Sequence, residues 1–165
     1  MKEGFDACSS HLRYSWEPFC IEAVLTEIKR NNVQKIVVGG DLVWGPQPRE
    51  VMNTLMRYKD DFLFIMGNSD REVASGDGAE KEPQHFIAEL NQCTGQLSDS
   101  QMSFLKNMPK HLSLSIDGVG EVLFVHGSPR SDEEAIRVDT PGSNITDDTG
   151  YERKHHCLRA YAYTI

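Results

Sequence analysis

Apolar positions in the first half of the chain recur with two different periods, which predict alternating helices and strands. Short apolar runs next to glycine lie at Lys35–Gly40 and Phe62–Met66 and predict buried strands. Two other segments carry apolar residues at helical spacing: Ile21, Val24, Leu25 and Ile28 in the first, and Val51, Met52, Leu55 and Met56 in the second. The order strand, helix, strand indicates a β-α-β unit with a parallel pair of strands.

The second half predicts a capped helix followed by a hairpin. Ser98 and Gln101 have the spacing of a capping box, and the helix that follows would bury Met102 and Leu105. Further on, Leu112, Leu114 and Ile116 alternate with serines, Asp117-Gly118 is a turn signal, and Val122–Val125 is a second apolar run. This arrangement predicts two antiparallel strands.

The two ends of the chain show no such period. Gly4–Cys20 and Asp147–Ile165 mix aromatic, charged and small residues without a repeating pattern, and taken alone they would be assigned to loops. The whole chain of 165 residues is of a size typical of one domain. We therefore expect a single domain over 1–165 with atypical flanks at 4–20 and 147–165.

Composition narrows the classes of function. The formal net charge of -8 disfavours non-specific nucleic-acid binding, which requires Lys and Arg to neutralise phosphates. No apolar run is long enough to span a membrane and the N-terminus lacks a signal-peptide core, so a cytoplasmic location is expected. The four cysteines show no CxxC spacing and are expected to be isolated thiols. The sequence contains no indication of the oligomeric state.

Three of the predicted strands stop on a residue that can bind a metal. The runs that begin at Lys35, Phe62 and Val122 lead to Asp41, Asn68 and His126. Ligands of open α/β sheets bind at the carboxyl ends of the strands. A carboxylate, an amide oxygen and an imidazole brought together there would suit Mn²⁺, Fe or Zn²⁺. Asp41, Asn68 and His126 are therefore the candidate metal ligands.

Each of these residues also has an ordinary structural interpretation. Asp41 could cap the next segment, Asn68 could belong to a plain Asx turn, and the imidazole of His126 could be satisfied by the backbone. His85 and His111 lie in polar surroundings and are expected at the surface. The shared position of the three candidates at strand ends, rather than any one of them, is what favours a site.

The motifs around these residues resemble a known family. Gly40–Glu50, Gly67–Asp70 and Val125–Arg130 are similar to successive blocks of the calcineurin-like metallophosphoesterases, and the resemblance extends over about 21–145. It is closest to the small prokaryotic phosphodiesterase branch, which would make this a bacterial protein. The resemblance implies an α/β fold, a four-layer αββα sandwich with a dinuclear metal site at strand ends.

The resemblance also implies roles for individual residues. Asp41 would bridge two divalent metals, and Asn68 and His126 would both bind one of them; Mn, Fe, Zn and Mg are not distinguished. The family hydrolyses phosphate esters, either monoesters or diesters, with a metal-activated water, so the expected partner is a small phosphate-ester substrate. Many relatives have a histidine where this chain has Ser69, and that histidine can protonate the leaving group. No catalytic residue is therefore assigned.

Two blocks of the family are missing from this chain. Neither the first-strand motif Asp-x-His nor the late motif Gly-His-x-His occurs, so the chain as printed has about half a site, and the first and last motif strands are missing or scrambled. A reading frame shifted by one base can encode Asp6–Ser10 as M-P-V-A-V and His11–Cys20 as I-S-D-I-H-G-N-(P or L)-F-A. In the same frame His156–Tyr163 can encode I-V-C-G-H-T-H. We therefore hypothesise that both flanks are translated out of frame.

Three functional interpretations stay open at this point. The chain is an incomplete phosphoesterase, or an inactive remnant or binding module that keeps the fold without the full dinuclear site, or an unrelated α/β domain. The last requires the three strand ends to lie far apart. Because strands would be missing, we also expect unpaired edges and poor solubility or a molten state.

Overall fold

The computed structural model describes residues 18–31, 33, 35–76, 84–117, 120–134 and 155–157. The expectations for the flanks 4–20 and 147–165 therefore fall almost entirely outside the described residues. Helices and short strands alternate along the described part in the order α1 Pro18–Arg30, β1 Val37–Val38, α2 Pro48–Leu55, β2 Leu63–Phe64, α3 Asn68–Ser75, α4 Gln84–Gln96, α5 Asp99–Lys106, β3 His111–Ile116, β4 Gly120–Val125 and β5 His155–Cys157. None of the described helices is long and apolar enough to cross a membrane.

The first half of the chain forms the predicted β-α-β unit. β1 pairs with β2 in parallel, with Val37 opposite Leu63 and Val38 opposite Phe64. α2 connects the two strands and buries the apolar face predicted from its spacing. The core also takes in α1, because Ile21 is only 2% exposed. The helices therefore cover the face of the β1–β2 pair that carries Val38 and Phe64.

The predicted capping box begins α5. The Ser98 hydroxyl accepts a hydrogen bond from the Gln101 backbone N–H at 3.3 Å, and the Gln101 side chain accepts one from the Ser98 N–H at 2.9 Å. Two N–H groups that have no partner inside the helix are thereby satisfied. Leu105 is fully buried as predicted, whereas Met102 is only partly buried.

The predicted hairpin is also present, as β3 and β4 in a second sheet. Their antiparallel register runs from His111 opposite Val125 to Ile116 opposite Gly120. β5 adds to β4 in parallel and lies inside the C-terminal flank, where the sequence pattern predicts no element. That prediction is wrong for these three residues, because a strand this short forms by pairing with its neighbour and leaves no periodic signal.

An apolar space separates the two sheets. A cavity of about 350 Å³ lies between β1 and the β3–β4 hairpin, and we call it the intersheet cavity. Its apolar walls are the side chains of Val37, Leu114, Ile116 and Phe124, all of them only partly buried. Within the part of the chain that the structure describes, no strand pairs with the second edge of β1.

Candidate metal-binding site

The chain turns sharply where β1 ends, at Gly39-Gly40-Asp41. Gly40 has φ +94° and Asp41 has φ +58°, so two consecutive residues adopt left-handed backbone conformations. Glycine adopts this conformation without steric cost, and aspartate is among the few other residues that tolerate it. This turn directs the Asp41 side chain towards the ends of the neighbouring strands.

The missing side chain of Gly40 lets three chain segments meet. A Cβ at this position would lie 2.5 Å from the Gly67 backbone nitrogen and 3.1 Å from His126 Nδ1. Gly67 packs equally closely against Asp41. The structure thus brings the three predicted strand ends together, and the interpretation as an unrelated domain with distant strand ends is wrong. We call this meeting point of Gly39–Asp41, Gly67–Asp70 and His126 the strand-end junction.

Asp41 and His126 face each other within the junction. Asp41 Oδ2 lies 3.3 Å from His126 Nε2, and His126 Nδ1 lies 2.7 Å from the carbonyl oxygen of Gly39. Because a carbonyl can only accept, Nδ1 carries the proton and donates it. This hydrogen bond fixes the ring so that Nε2 points at the Asp41 carboxylate.

The other Asp41 oxygen is held by α3. Asp41 Oδ1 accepts hydrogen bonds from the Ser69 backbone N–H at 3.2 Å and from the Ser69 hydroxyl at 2.8 Å. The structural interpretation of Asp41 as a cap is therefore correct in part, since it caps α3 rather than the segment that follows it. Asn68 is the first residue of α3 and is partly exposed, so the interpretation as a plain turn is wrong.

These donors fit part of a metal site. Two atoms bound to the same Zn²⁺-like ion at about 2.0–2.1 Å are separated by roughly 2.9–3.4 Å, and the Oδ2–Nε2 distance of 3.3 Å lies in that interval. A ligating histidine typically donates its other N–H to a carbonyl or carboxylate, as His126 does to Gly39. Across the part of the chain that is described, however, no group of three or more His, Cys, Asp or Glu side chains is arranged to hold a metal.

The ion pair changes the proton affinity of both partners. Burial lowers the pKa of His126, but its hydrogen bond to Asp41 and the charge of that carboxylate raise the pKa to about 9. Burial raises the pKa of Asp41, yet the hydrogen bond and charge of His126, together with the Ser69 donors, hold it below its ordinary value. A metal ion would have to displace the proton from His126 Nε2.

One important residue of the junction is not found by the sequence analysis. Asp70 is fully buried, and its carboxylate accepts hydrogen bonds from the backbone N–H groups of Asp41, Leu42 and Gly67 at 2.8, 2.7 and 3.0 Å. Burial, and then the charge of Asp41, raise the pKa of Asp70 to about 7. Its spacing could have identified it: Asp70 stands three residues after Gly67, the N-cap of α3, and an acidic residue at that position is half of a capping box.

Two further histidines lie where the sequence predicts. His85 and His111 are both exposed, which confirms their assignment to the surface. Cys93 is buried and its thiol donates to the Gly45 carbonyl. The structure therefore brings Asp41 and His126 into contact, with Asn68 on the adjoining helix, and their role as metal ligands stays a prediction.

Comparison with known proteins agrees with this fold. The sequence model of the calcineurin-like phosphoesterases matches residues 15–156. A hypothetical protein, PH1004 from Pyrococcus horikoshii OT3, matches with 24% identity and a TM-score of 0.64, over 76% of this chain and 55% of that chain. A metallophosphoesterase from Sphaerobacter thermophilus matches with 28% identity and a TM-score of 0.55, over 74% of this chain and 47% of that chain.

These similarities confirm the predicted fold class, the α/β sandwich of the metallophosphoesterase type. This chain spans about half the length of the two solved structures. No curated protein matches it in sequence.

Proposed function

We propose that this chain, which belongs to the calcineurin-like phosphoesterase family, is a metal-dependent hydrolase of phosphate esters whose site is incomplete in the sequence as printed. The observation that carries the proposal is the pair of Asp41 Oδ2 and His126 Nε2, 3.3 Å apart at the ends of two strands. Members of the family generally use divalent metals and act on phosphate esters. The domain would be single, with its family-like part at about 21–145.

In this proposal Asp41, Asn68 and His126 hold the metal. A metal held there would supply a water of lowered pKa for attack on phosphorus and positive charge for the phosphoryl oxygens. His126 contributes its Nε2 while its Nδ1–H stays on the Gly39 carbonyl. The net charge of -8 disfavours non-specific binding of nucleic acid, so the proposed substrate is a small phosphate ester whose charge the bound metal would offset.

In this proposal Ser69 positions the carboxylate of Asp41. Its hydroxyl and backbone N–H both donate to Asp41 Oδ1 and so hold the carboxylate in one orientation. A serine hydroxyl committed to a carboxylate is a poor proton donor to a leaving group. Protonation of the leaving group is therefore not assigned to any residue of this chain.

A second candidate function is that of an inactive remnant. The family's Asp-x-His and Gly-His-x-His strings are absent from the sequence, and the described residues contain no cluster of three metal-binding side chains. A remnant of this kind would retain no metal and would not hydrolyse phosphate esters. The shifted-frame hypothesis would explain why both ligand motifs are absent, since both can be encoded in the same shifted frame.

Metal content and hydrolysis, measured on the same samples, distinguish the two candidates. The chain is loaded with Mn²⁺ or Zn²⁺, dialysed, analysed for metal, and assayed with bis(p-nitrophenyl) phosphate. We expect about one divalent ion per chain, consistent with half of a dinuclear site, and slow turnover that requires the metal. Absence of both metal and turnover would support the remnant.

The matched variants are Asp41→Asn and Asp60→Asn. Asp41→Asn removes the proposed ligand charge and should abolish both metal retention and turnover. Asp60 lies on an exposed turn with its side chain 84% exposed, so Asp60→Asn should change neither. Equal metal content in the two variants would show that the metal is bound elsewhere.

A further inference from the structure

A single arginine connects the helix that begins at Asn68 with the loop that follows His126. Arg71 lies one turn into α3, and its side chain is only 14% exposed. Its Nε donates to Asp132 Oδ2 at 2.7 Å, and its Nη2 donates to Glu133 Oε1 at 2.9 Å and, more weakly, to Asp132 Oδ1 at 3.4 Å. Two hydrogen bonds in the fixed plane of a guanidinium define a direction as well as a distance.

Arg71 contacts the loop of residues 127–134, and hydrogen bonds within this loop hold it together. The Ser128 hydroxyl accepts from the backbone N–H groups of Arg130 and Ser131, and the Ser128 N–H donates to the Ser131 carbonyl at 2.9 Å. Gly127 has φ +69°, and a Cβ there would lie 2.5 Å from the Ser131 carbonyl oxygen. The 127–134 loop therefore behaves as one compact unit joined directly to His126.

We propose that Arg71 is a positioning residue that sets the separation of His126 from Asp41 and Asn68 and thereby sets the affinity of the site for metal. Arg71 lies three residues after Asn68 on the same helix, and Asp132 lies six residues after His126 in the 127–134 loop. Fixing Asp132 against α3 fixes the backbone that carries His126 relative to the helix that carries Asn68. This proposal rests on the proposed function, because it concerns the same metal site.

The chain contains a matched ion pair that lacks this connection. Arg57 Nη2 contacts Glu22 Oε1 at 3.1 Å, but the two side chains are 61% and 59% exposed and join α1 to the residues after α2. Exposed pairs contribute little, whereas loss of a partner behind a ligand typically reduces metal affinity by about 10–100-fold. Arg57 is therefore the control for Arg71.

The test measures Co²⁺ binding by the full chain, with its visible absorption spectrum as a report of coordination geometry. Arg71→Lys keeps the charge but loses the planar fork, and should weaken Co²⁺ binding by about 10-fold or more and change the spectrum. Arg57→Lys should alter affinity by less than about twofold. Asp132→Asn should resemble Arg71→Lys, and the double variant should be no worse than either single one, because the two residues act as a pair.

Hydrogen exchange of the peptide His126–Glu134, measured without metal, supplies the independent readout. We expect faster exchange of this peptide in Arg71→Lys, with the α1 and α2 peptides unchanged. If the parent chain binds Co²⁺ and Arg71→Lys binds it equally well with the same spectrum, the positioning proposal is overturned. If the parent chain binds no metal, the proposed function fails instead, and unchanged exchange at 126–134 in Arg71→Lys would then overturn the connection itself.

Discussion

The strand-end junction and the intersheet cavity both adjoin β1, but they differ in how completely they are filled. At the junction, Asp70 has no exposed surface and all three of its backbone donors lie within 3.0 Å. Along the side of the same strand, apolar groups from both sheets face a space of about 350 Å³ and stay partly exposed. Protein interiors are normally packed with few voids larger than a water molecule.

The hydrogen bonds of the strand-end junction are therefore complete in this chain, whereas the apolar packing between the sheets is not. The junction is built from turns and helix ends encoded in the three family-like motifs, so its polar groups find partners nearby. Under the shifted-frame hypothesis a further strand would fill the cavity, and the printed sequence contains no period that predicts one at either end. The candidate ligands are consequently held well, while the sheet behind them is not fully covered.

The largest expected effect comes from translating both flanks in the shifted frame. A chain that begins M-P-V-A-V-I-S-D-I-H-G-N and ends with I-V-C-G-H-T-H should unfold in one cooperative transition, because its first strand would cover the apolar walls of the cavity. The printed chain should be poorly soluble, bind an anilinonaphthalene sulfonate dye and melt over a broad range. Calorimetry and dye fluorescence measure this, and a sharp cooperative melt of the printed chain would contradict it.

The same hypothesis has a direct genetic check. Resequencing of the gene should reveal a frame change near each junction. If the frame is uninterrupted, with codons that cannot yield Asp-x-His or Gly-His-x-His, the hypothesis that a lost strand leaves the cavity is wrong.

The junction should depend strongly on Asp70. Asp70→Ala would leave three backbone N–H groups without an acceptor, and each buried unsatisfied group costs about 1–3 kcal/mol, so a loss of at least roughly 3 kcal/mol in the free energy of unfolding is expected. Urea unfolding of the shifted-frame chain measures it. Asp70→Asn retains an acceptor oxygen and should lose less, and the exposed Asp60→Ala should change stability by no more than about 0.5 kcal/mol. A loss below about 1 kcal/mol for Asp70→Ala would mean that the junction is not rigidly bonded.

The pair of Asp41 and His126 should give the metal-free protein a characteristic pH dependence. The pKa of His126 is raised from 6.5 to about 9, so the pair's stabilisation is complete below about pH 6.5 and is lost as the pH rises through 9. We expect a decline of about 1–2 kcal/mol, reduced because the Asp41 side chain is 38% exposed. Urea titrations with EDTA at several pH values measure it.

His126→Gln is the control for this pH dependence. Asp70 contributes in the same sense, because its pKa is also raised, so its stabilisation is complete below about pH 3.8 and is lost as the pH rises through about 7. The part of the decline that lies between about pH 7.5 and 9, above the range in which Asp70 titrates, should be absent in His126→Gln. If both proteins decline equally over that interval, the ion pair is not its origin.

The smallest expected effect compares two neighbouring valines of β1. Val37 lines the cavity, so Val37→Ile in the printed chain should fill part of the void. One buried methylene adds up to about 0.8 kcal/mol to the free energy of unfolding and should raise the melting midpoint. Val38 is only 6% exposed and faces the packed side, so Val38→Ile should overpack it and lower the midpoint. The same sign in both variants would mean that the two sides of β1 are equally well packed.

Much of the fold could be predicted from the sequence because its signals are local. The helical spacing around Leu25 and Val51, the capping box at Ser98 and the alternation from Leu112 to Ile116 each predict an element within a few residues. β5 could not be predicted, because three residues paired to β4 carry no period.

The candidate site was predicted less completely. The meeting of Asp41 and His126 follows from the rule that ligands gather at strand ends, but the contacts that hold them do not. Two of the three donors to Asp70 and the partners of Arg71 connect positions 28 to 62 residues apart in the chain, and such pairings depend on how the elements pack together.

X-ray absorption spectroscopy of the Zn²⁺-loaded chain tests the central claim, that the strand-end junction is part of a metal site. The account predicts oxygen and nitrogen neighbours at roughly 2.0–2.2 Å with the scattering pattern of an imidazole, and loss of that pattern in His126→Gln. Sulfur neighbours at roughly 2.3 Å, or an imidazole pattern that survives in His126→Gln, would contradict it.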